Sequence, residues 1–170
     1  SISLFNTEMD NVISMQKPLL ANKLTEANYI PSGGTALYDA IGLSLQRIER
    51  VIGADIEKDE ASVVVLIMTD GHENSSRMFS HWEIGEMVKR LEKTEKWTFN
   101  FLGADIDASS AAEQVSINSS HAISFQKEDY SNAMFDLDTS MRSYASEKSQ
   151  GRVKQNLFDI FKTNNKKGSE

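Results

Sequence analysis

Residues 62–76 read Ser62-Val63-Val64-Val65-Leu66-Ile67-Met68-Thr69-Asp70-Gly71-His72-Glu73-Asn74-Ser75-Ser76. The first part of this stretch is an unbroken apolar and largely β-branched run, and it ends at an acidic residue followed by glycine. A strand that is apolar on both faces is buried on both faces, which indicates a central parallel strand covered by helices. Ligands of open α/β sheets bind beyond the carboxyl ends of such strands. Asp70 is therefore a candidate functional residue, although an Asp-Gly pair also forms ordinary turns.

The composition excludes several classes of function. A chain of 170 residues fits one domain with a sizeable core. The net charge of −7 argues against a nucleic-acid surface, because phosphate binding needs a concentrated basic face. The chain has no cysteine, so disulfides and thiolate zinc sites are excluded. The sequence shows no membrane-spanning apolar run and no signal peptide. We therefore expect a cytoplasmic protein of bacterial or phage type that binds neither nucleic acid nor membranes.

Two short apolar segments near the amino terminus predict an antiparallel hairpin. They cover residues 2–5 and 12–15, and polar turn-forming residues separate them. The chain begins with Ser1 rather than methionine, and it already has the pattern of a strand at Ile2. We therefore expect that further residues precede this sequence in the natural protein.

A long helix is predicted after the Gly33-Gly34 pair. Its apolar residues recur at spacings of three and four, which places them on one stripe facing the sheet: Leu37, Ile41, Leu45, Ile48 and Ile52. Gly53 is a plausible end for this helix. Residues 54–61 then form an acidic loop that leads into the apolar strand.

Helical and strand patterns continue to alternate after Ser76. Ser80 and Glu83 have the spacing of a capping box, which predicts a helix start. The next predicted elements are a strand over 97–102 ended by Gly103, a helix capped by Asp107 and a strand over 121–125. A helix capped by Asp129 follows, and its predicted core stripe consists of Tyr130, Met134, Leu137, Met141 and Tyr144. After it we expect a polar linker over 146–152, an amphipathic helix within 153–161 and a polar tail over 163–170. The alternation predicts an α/β domain over residues 1–145 with a doubly wound sheet. Residues 146–170 form a separate helix and tail.

Two sequence blocks resemble segments of the von Willebrand factor A domain. Residues 32–41 read SGGTALYDAI before the long helix, and residues 68–71 read MTDG at the end of the buried strand. The two blocks occur in the family's order and in the matching structural places, and the likeness extends over residues 2–144. The resemblance implies a Rossmann-like, mainly parallel sheet with one antiparallel edge strand and with helices on both faces.

The resemblance also implies a metal-ion-dependent adhesion site. By this resemblance, Thr35 would be the threonine ligand of the metal and Asp70 the aspartate ligand, each binding the ion directly or through a water molecule. Hydroxyl and carboxylate oxygens favour Mg²⁺, with Mn²⁺ or Ca²⁺ as substitutes. The metal would bridge to an Asp or Glu carboxylate of a protein partner, and no catalysis is expected.

One segment of the family's site has no counterpart in these residues. The family carries Asp-x-Ser-x-Ser after its first strand, and the two nearest matches here begin at Asp107 and Asp138 and differ in residue type and position. Three explanations remain open: the motif lies upstream of Ser1, another polypeptide supplies it, or the domain has lost metal binding. The metal is expected only if that segment is supplied upstream or in trans.

The remaining candidates surround the two ligands and have simpler readings as well. Ser32, Gly33, Gly34 and Gly71 would let the backbone turn tightly at the site, while Asp39 would orient a ligand or favour the helix start by its charge. His72, Glu73 and Asn74 would contact the partner or form an ordinary polar loop. The competing functions are a metal-independent structural or assembly module and an A-domain subunit that works beside an ATPase. The chain has no phosphate-binding loop with its lysine, so we expect no ATP binding by the chain itself.

Overall fold

The computed structural model describes residues 1–13, 16–17, 20, 25, 32–151 and 157–158. Its strands and helices, in chain order, are β1 (Ile2–Phe5), β2 (Met9–Ile13), α1 (Leu37–Glu57), β3 (Val63–Thr69), α2 (His81–Glu92), β4 (Trp97–Ala104), α3 (Ala108–Gln114), β5 (Ala122–Phe125) and α4 (Tyr130–Ser149). Short 3-10 turns at Ser119–His121 and Lys127–Asp129 flank β5. The predicted helix within 153–161 lies outside the described residues, apart from Leu157 and Phe158, and so does the tail.

Three strands form a parallel sheet in the order β3-β4-β5. Val63 lies opposite Trp97 and Thr69 opposite Gly103, while Phe101 lies opposite Ala122. β1 and β2 pair antiparallel in a second sheet of two strands. Within the described residues, β3 is therefore paired along one edge only.

Side chains alternate between two cores on opposite faces of the parallel sheet. Phe99 and Phe101 of β4 are fully buried against the apolar stripes of α1, α2 and α3. Leu102 faces the other way, where it packs with Tyr144 of α4 and with Phe158. A parallel sheet needs this cover on both faces because its strands are apolar throughout. The predicted α/β class is confirmed: the fold is mixed α/β, with a three-stranded parallel sheet between helices.

The first long helix continues past the predicted end. α1 runs through Gly53 to Glu57, so residues 54–57 are helical and the prediction of a loop there was wrong. Ile56 lies one turn beyond Ile52 and is 6% exposed, so it extends the buried stripe. A glycine inside a helix costs only about 1 kcal/mol relative to alanine. Burial of a whole isoleucine side chain outweighs that cost.

Other boundaries shift where pairing or packing overrides the local signal. β2 begins at Met9 rather than at Val12 and is described as far as Ile13, while residues 14 and 15 lie outside the described residues. β4 continues through Gly103 to Ala104, because Gly103 and Ala104 pair with β5. α4 continues to Ser149 into the predicted linker.

The predicted helix caps fare unequally. The capping box of Ser80 and Glu83 is confirmed, and so is the cap of Asp107, whose side chain accepts from Ser110 N. Asp129 makes no side-chain cap.

On α4, the buried positions are Ala133, Ser140 and Tyr144, whereas Met141 is exposed. The predicted core stripe was therefore wrong at Tyr130 and Met141, which are 53% and 39% exposed, whereas Tyr144 is buried and Met134 and Leu137 are partly buried against the same core.

None of the helices in the described part of the chain is both long enough and apolar enough to cross a membrane.

Candidate functional site

The candidate site is built by two loops at the carboxyl end of β3. The glycine loop (residues 32–36) precedes α1, and the β3 loop (residues 70–79) follows β3. Two hydrogen bonds join them in both directions: Thr35 N donates to Asn74 Oδ1 at 2.8 Å, and Asn74 N donates to Thr35 O at 3.0 Å. The predicted pair of segments is thus in contact, although 35 residues separate Thr35 from Asp70 in the chain.

Thr35 lies directly against the residue that follows Asp70. A Cβ added to Gly71 would lie 2.7 Å from Thr35 Oγ1, so only glycine leaves room for this approach. Thr69, the last residue of β3, stabilises the turn at Gly71, because its buried hydroxyl accepts a hydrogen bond from Gly71 N at 3.2 Å. The hydroxyl of Thr35 and the carboxylate of Asp70 consequently belong to one small region of the surface.

The end of β1 reaches the same glycine loop. Asn6 O accepts from Ala36 N at 2.6 Å, and Thr7 Oγ1 accepts from Gly34 N at 3.0 Å. Asn6 Nδ2 donates to Ser32 Oγ at 3.2 Å. Gly33 adopts a left-handed φ of 78°, which glycine allows at little cost. Ser32, Gly33 and Gly34 thereby connect the hairpin to the start of α1.

Asp39 holds the far end of the β3 loop. Its two carboxylate oxygens accept from the backbone amides of Arg77, Met78 and Phe79, each at 2.9 Å. Burial alone would raise the pKa of Asp39, but these hydrogen bonds from the backbone outweigh it and lower the pKa below its usual value. The structure thus gives Asp39 a definite role in fixing the loop.

Glu73 fastens the middle of the same loop to α1. Its carboxylate accepts from Tyr38 N at 3.0 Å and from the backbone amides of Ser75 and Ser76 at 2.8 and 2.7 Å. Ser76 Oγ also donates to it at 2.8 Å. Burial raises the pKa of Glu73, yet the hydrogen bonds from Ser76 and Tyr38 lower it further than burial raises it. Glu73 therefore accepts from backbone amides of α1 and of the β3 loop, and Asn74 accepts from the amide of Thr35, while His72 is exposed beside them.

Two residues that the sequence analysis did not select lie next to Asp70. Lys127 Nζ is 3.0 Å from Asp70 Oδ2 and 3.7 Å from Asp105 Oδ2. Asp105 directly follows β4, and Lys127 lies two residues after β5, so both occupy strand-end positions equivalent to that of Asp70. That equivalence was the available sequence signal. It becomes readable only when the order of the strands is known.

The donor chemistry at the two loops fits a hard divalent cation. The glycine loop supplies the hydroxyl of Thr35 and the β3 loop the carboxylate of Asp70, and oxygen donors are what Mg²⁺ and Ca²⁺ prefer. Among the described residues, no three His, Asp or Glu side chains are grouped so as to hold a metal. Thr35 and Asp70 would thus be two protein ligands of a larger set.

Comparisons of the chain with protein-family models, with curated proteins and with solved structures found no match.

Proposed function

We propose that this chain is a protein-binding domain of the von Willebrand factor A type, in which a divalent cation bridges to a carboxylate of the partner. The observation that carries the proposal is the contact of Thr35 with Gly71, since it brings the hydroxyl of the first block beside the Asp70 end of the second. The resemblance selects Thr35 and Asp70, and the hydrogen bonds between Thr35 and Asn74 bring the two loops that carry them into contact. The finer fold assignment, a Rossmann-like doubly wound sheet with an antiparallel edge strand, belongs to the same proposal.

Thr35 and Asp70 would hold the ion, with waters and an Asp-x-Ser-x-Ser segment from outside the described residues. When bound, the ion would supply a positive centre that attracts and orients a partner carboxylate. Asp39, Glu73 and Asn74 would act by holding the two loops in register through the hydrogen bonds described above. We assign no catalytic step to the chain.

The position of β1 supports a place for that additional segment. Asn6, directly after β1, and Asn74, in the β3 loop, both form hydrogen bonds with the glycine loop. β1 and β3 nevertheless belong to different sheets. A strand between them would emerge beside Thr35 and Asp70.

A second candidate is a structural module that binds its partner without metal. The ion pair of Asp70 with Lys127 favours it, because a lysine ammonium already neutralises the carboxylate. The two candidates make opposite predictions for divalent cations, so one experiment separates them.

The test is a thermal-unfolding titration of the natural polypeptide that carries these residues with Mg²⁺ and Mn²⁺. A ligand at one hundred times its Kd stabilises by about 2.7 kcal/mol, which raises the Tm of a chain of this size by about 5–10 °C. Asp70→Ala should abolish the rise. Asp138→Ala is the matched control, since Asp138 is an exposed aspartate in an ion pair with Arg142 of α4.

Glycine variants test the same contact from the other side. Gly71→Ala should reduce the metal-dependent rise, because its Cβ would displace the Thr35 hydroxyl. Gly53→Ala, at a position with no atom within 4 Å, should leave the rise unchanged. A Tm that does not respond to either cation supports the metal-independent module instead.

A further inference from the structure

Lys127 is positioned by all three strands of the parallel sheet. Its backbone amide donates to Asp105 Oδ1 at 3.0 Å, just after β4. The amide of Asp105 in turn donates to Phe125 O at the end of β5. The side chain then extends to Asp70 beyond β3. The lysine is thus built into the carboxyl end of the sheet.

The ammonium of Lys127 has two carboxylates within reach. It lies 3.0 Å from Asp70 Oδ2, its closer partner, and 3.7 Å from Asp105 Oδ2. The hydrogen bond and the charge of Asp70, followed by those of Asp105, raise the pKa of Lys127 above its usual value. The ion pair therefore places an ammonium group beside the carboxylate that the proposed function makes a metal ligand.

A lysine and a divalent cation cannot both use Asp70 freely. An ammonium in contact with the carboxylate repels a nearby cation and occupies one of its oxygens. The lysine is nevertheless displaceable, because the side chains of Lys127 and Asp70 are 53% and 66% exposed. Exposed ion pairs are weak because water and salt screen them. Asp105 offers the displaced ammonium a second partner without movement of the backbone.

We propose that Lys127 is a tethered competitor of the metal, which neutralises Asp70 while the ion is absent and shifts to Asp105 when the ion binds. This inference rests on the proposed metal-binding function and adds a residue that sets its affinity. Lys127 then raises the cation concentration needed to load the site, and Asp105 lowers the cost of loading it. The two residues therefore influence metal affinity with opposite signs.

The experiment measures the Kd for Mn²⁺ by isothermal titration calorimetry on the natural polypeptide. Lys127→Gln should tighten binding about fivefold, equivalent to about 1 kcal/mol, the upper range for an exposed ion pair. Lys127→Arg keeps the charge and should bind like the parent protein. Lys89→Gln is the matched control, because it removes the same charge from an exposed 3.0 Å ion pair with Glu86 on α2.

Asp105→Asn tests the second half of the inference. Asparagine tolerates the left-handed φ of 57° at this position and keeps an oxygen for the amide of Lys127. The variant should weaken Mn²⁺ binding about threefold in the parent background, and much less in the Lys127→Gln background. A double-mutant cycle thereby separates an action through Lys127 from a general effect of charge.

The outcomes distinguish this inference from the function on which it rests. If Asp70→Ala abolishes binding while Lys127→Gln binds like the parent, the tethered competitor is wrong and the metal site stands. If Lys89→Gln tightens binding as much as Lys127→Gln, net charge explains the effect and the competitor is again wrong. If Asp70→Ala binds Mn²⁺ as the parent protein does, or if neither binds it, both the tethered competitor and the proposed metal site are wrong.

Discussion

Asp39 shows how a single carboxylate can organise a loop at the candidate site. It accepts three backbone hydrogen bonds, from residues 77–79, and it reaches them from the first turn of α1. A hydrogen bond from an amide to an ionised carboxylate is charge-assisted and is roughly twice as strong as one between neutral groups. Asp39 therefore affects the position of Asp70 through the β3 loop, which contains Asp70 and which Asp39 holds from α1.

The pH dependence of stability should reveal this role. Asp39 has a lowered pKa in the folded state, so its contribution is complete above the unfolded pKa of about 3.9 and is lost as the pH falls through the folded value. Asp39→Asn should lower the free energy of unfolding by about 1–3 kcal/mol near pH 7. The difference from the parent protein should shrink as the pH falls below the unfolded pKa of about 3.9 and through the lowered pKa of the folded state.

Urea unfolding at several pH values measures this difference. Asp55→Asn is the control, since Asp55 is an exposed aspartate on the same helix. A destabilisation by Asp39→Asn that is equal at pH 7 and pH 3 would show that the charge of Asp39 does not hold the loop.

Residue-level prediction from sequence selected Thr35 and Asp70, whose role as ligands stays a prediction, and missed the charged residues beside Asp70. Thr35 and Asp70 occur in recognisable blocks, and the structure brings those blocks together. Asp105 and Lys127 are single charged residues with no motif around them. Their proximity to Asp70 follows from the strand order β3-β4-β5, which the local sequence does not contain.

β3 pairs with β4 along one of its edges, and its other edge has no partner strand within the described residues. Val63 N donates to Lys96 O at 2.9 Å, on the side of β4. Because successive residues of a strand alternate in direction, the amides of residues 65, 67 and 69 also face β4. The amides of residues 64, 66 and 68 then face the edge that has no partner strand within the described residues.

Hydrogen exchange should therefore alternate along β3. In the chain of 170 residues, we expect the amides of residues 64, 66 and 68 to exchange at least about tenfold faster than those of residues 65 and 67, because only the latter are hydrogen-bonded within the sheet. Exchange followed by NMR checks each amide separately. Equal protection of both sets would mean that another strand already pairs with β3.

Boundaries of elements were predicted less well than their type. The buried strand and the stripe of α1 follow from periodicity, which is a property of many residues at once. Gly53 and Gly103 were each interpreted as ends because glycine favours turns, but burial of Ile56 and pairing with β5 carry both elements further. These tertiary contacts come from distant parts of the chain, and local sequence cannot indicate them.

Over the whole molecule, the core that contains Leu102 joins residues that the predicted division of the chain placed in separate parts. Leu157 and Phe158 are buried with Leu102 and Tyr144, although the predicted division placed a boundary after residue 145. Leu157 and Phe158, which follow α4, thus contribute to a hydrophobic core on the parallel sheet.

Paired phenylalanine variants test this contribution. Phe158 is 0% exposed and Phe135 of α4 is 72% exposed. Phe158→Ala should lower the free energy of unfolding by about 3–5 kcal/mol, because it leaves a cavity, and Phe135→Ala should change it by less than about 0.5 kcal/mol. Urea unfolding of both variants measures the difference. Similar values for the two would place the residues after α4 outside the cooperative core.

The two tryptophans lie in different surroundings, one in the hydrophobic core and one at the surface near the candidate site. Trp97, at the start of β4, is 5% exposed within the first core, whereas Trp82, in the first turn of α2, is 67% exposed close to the end of the β3 loop. Their indole rings therefore experience an apolar and an aqueous surrounding, respectively. The intrinsic fluorescence of the protein consequently has a short-wavelength emitter shielded from quenchers and a long-wavelength emitter open to them. Optical signals from the core and from the rim of the candidate site can thus be followed separately in the unlabelled protein.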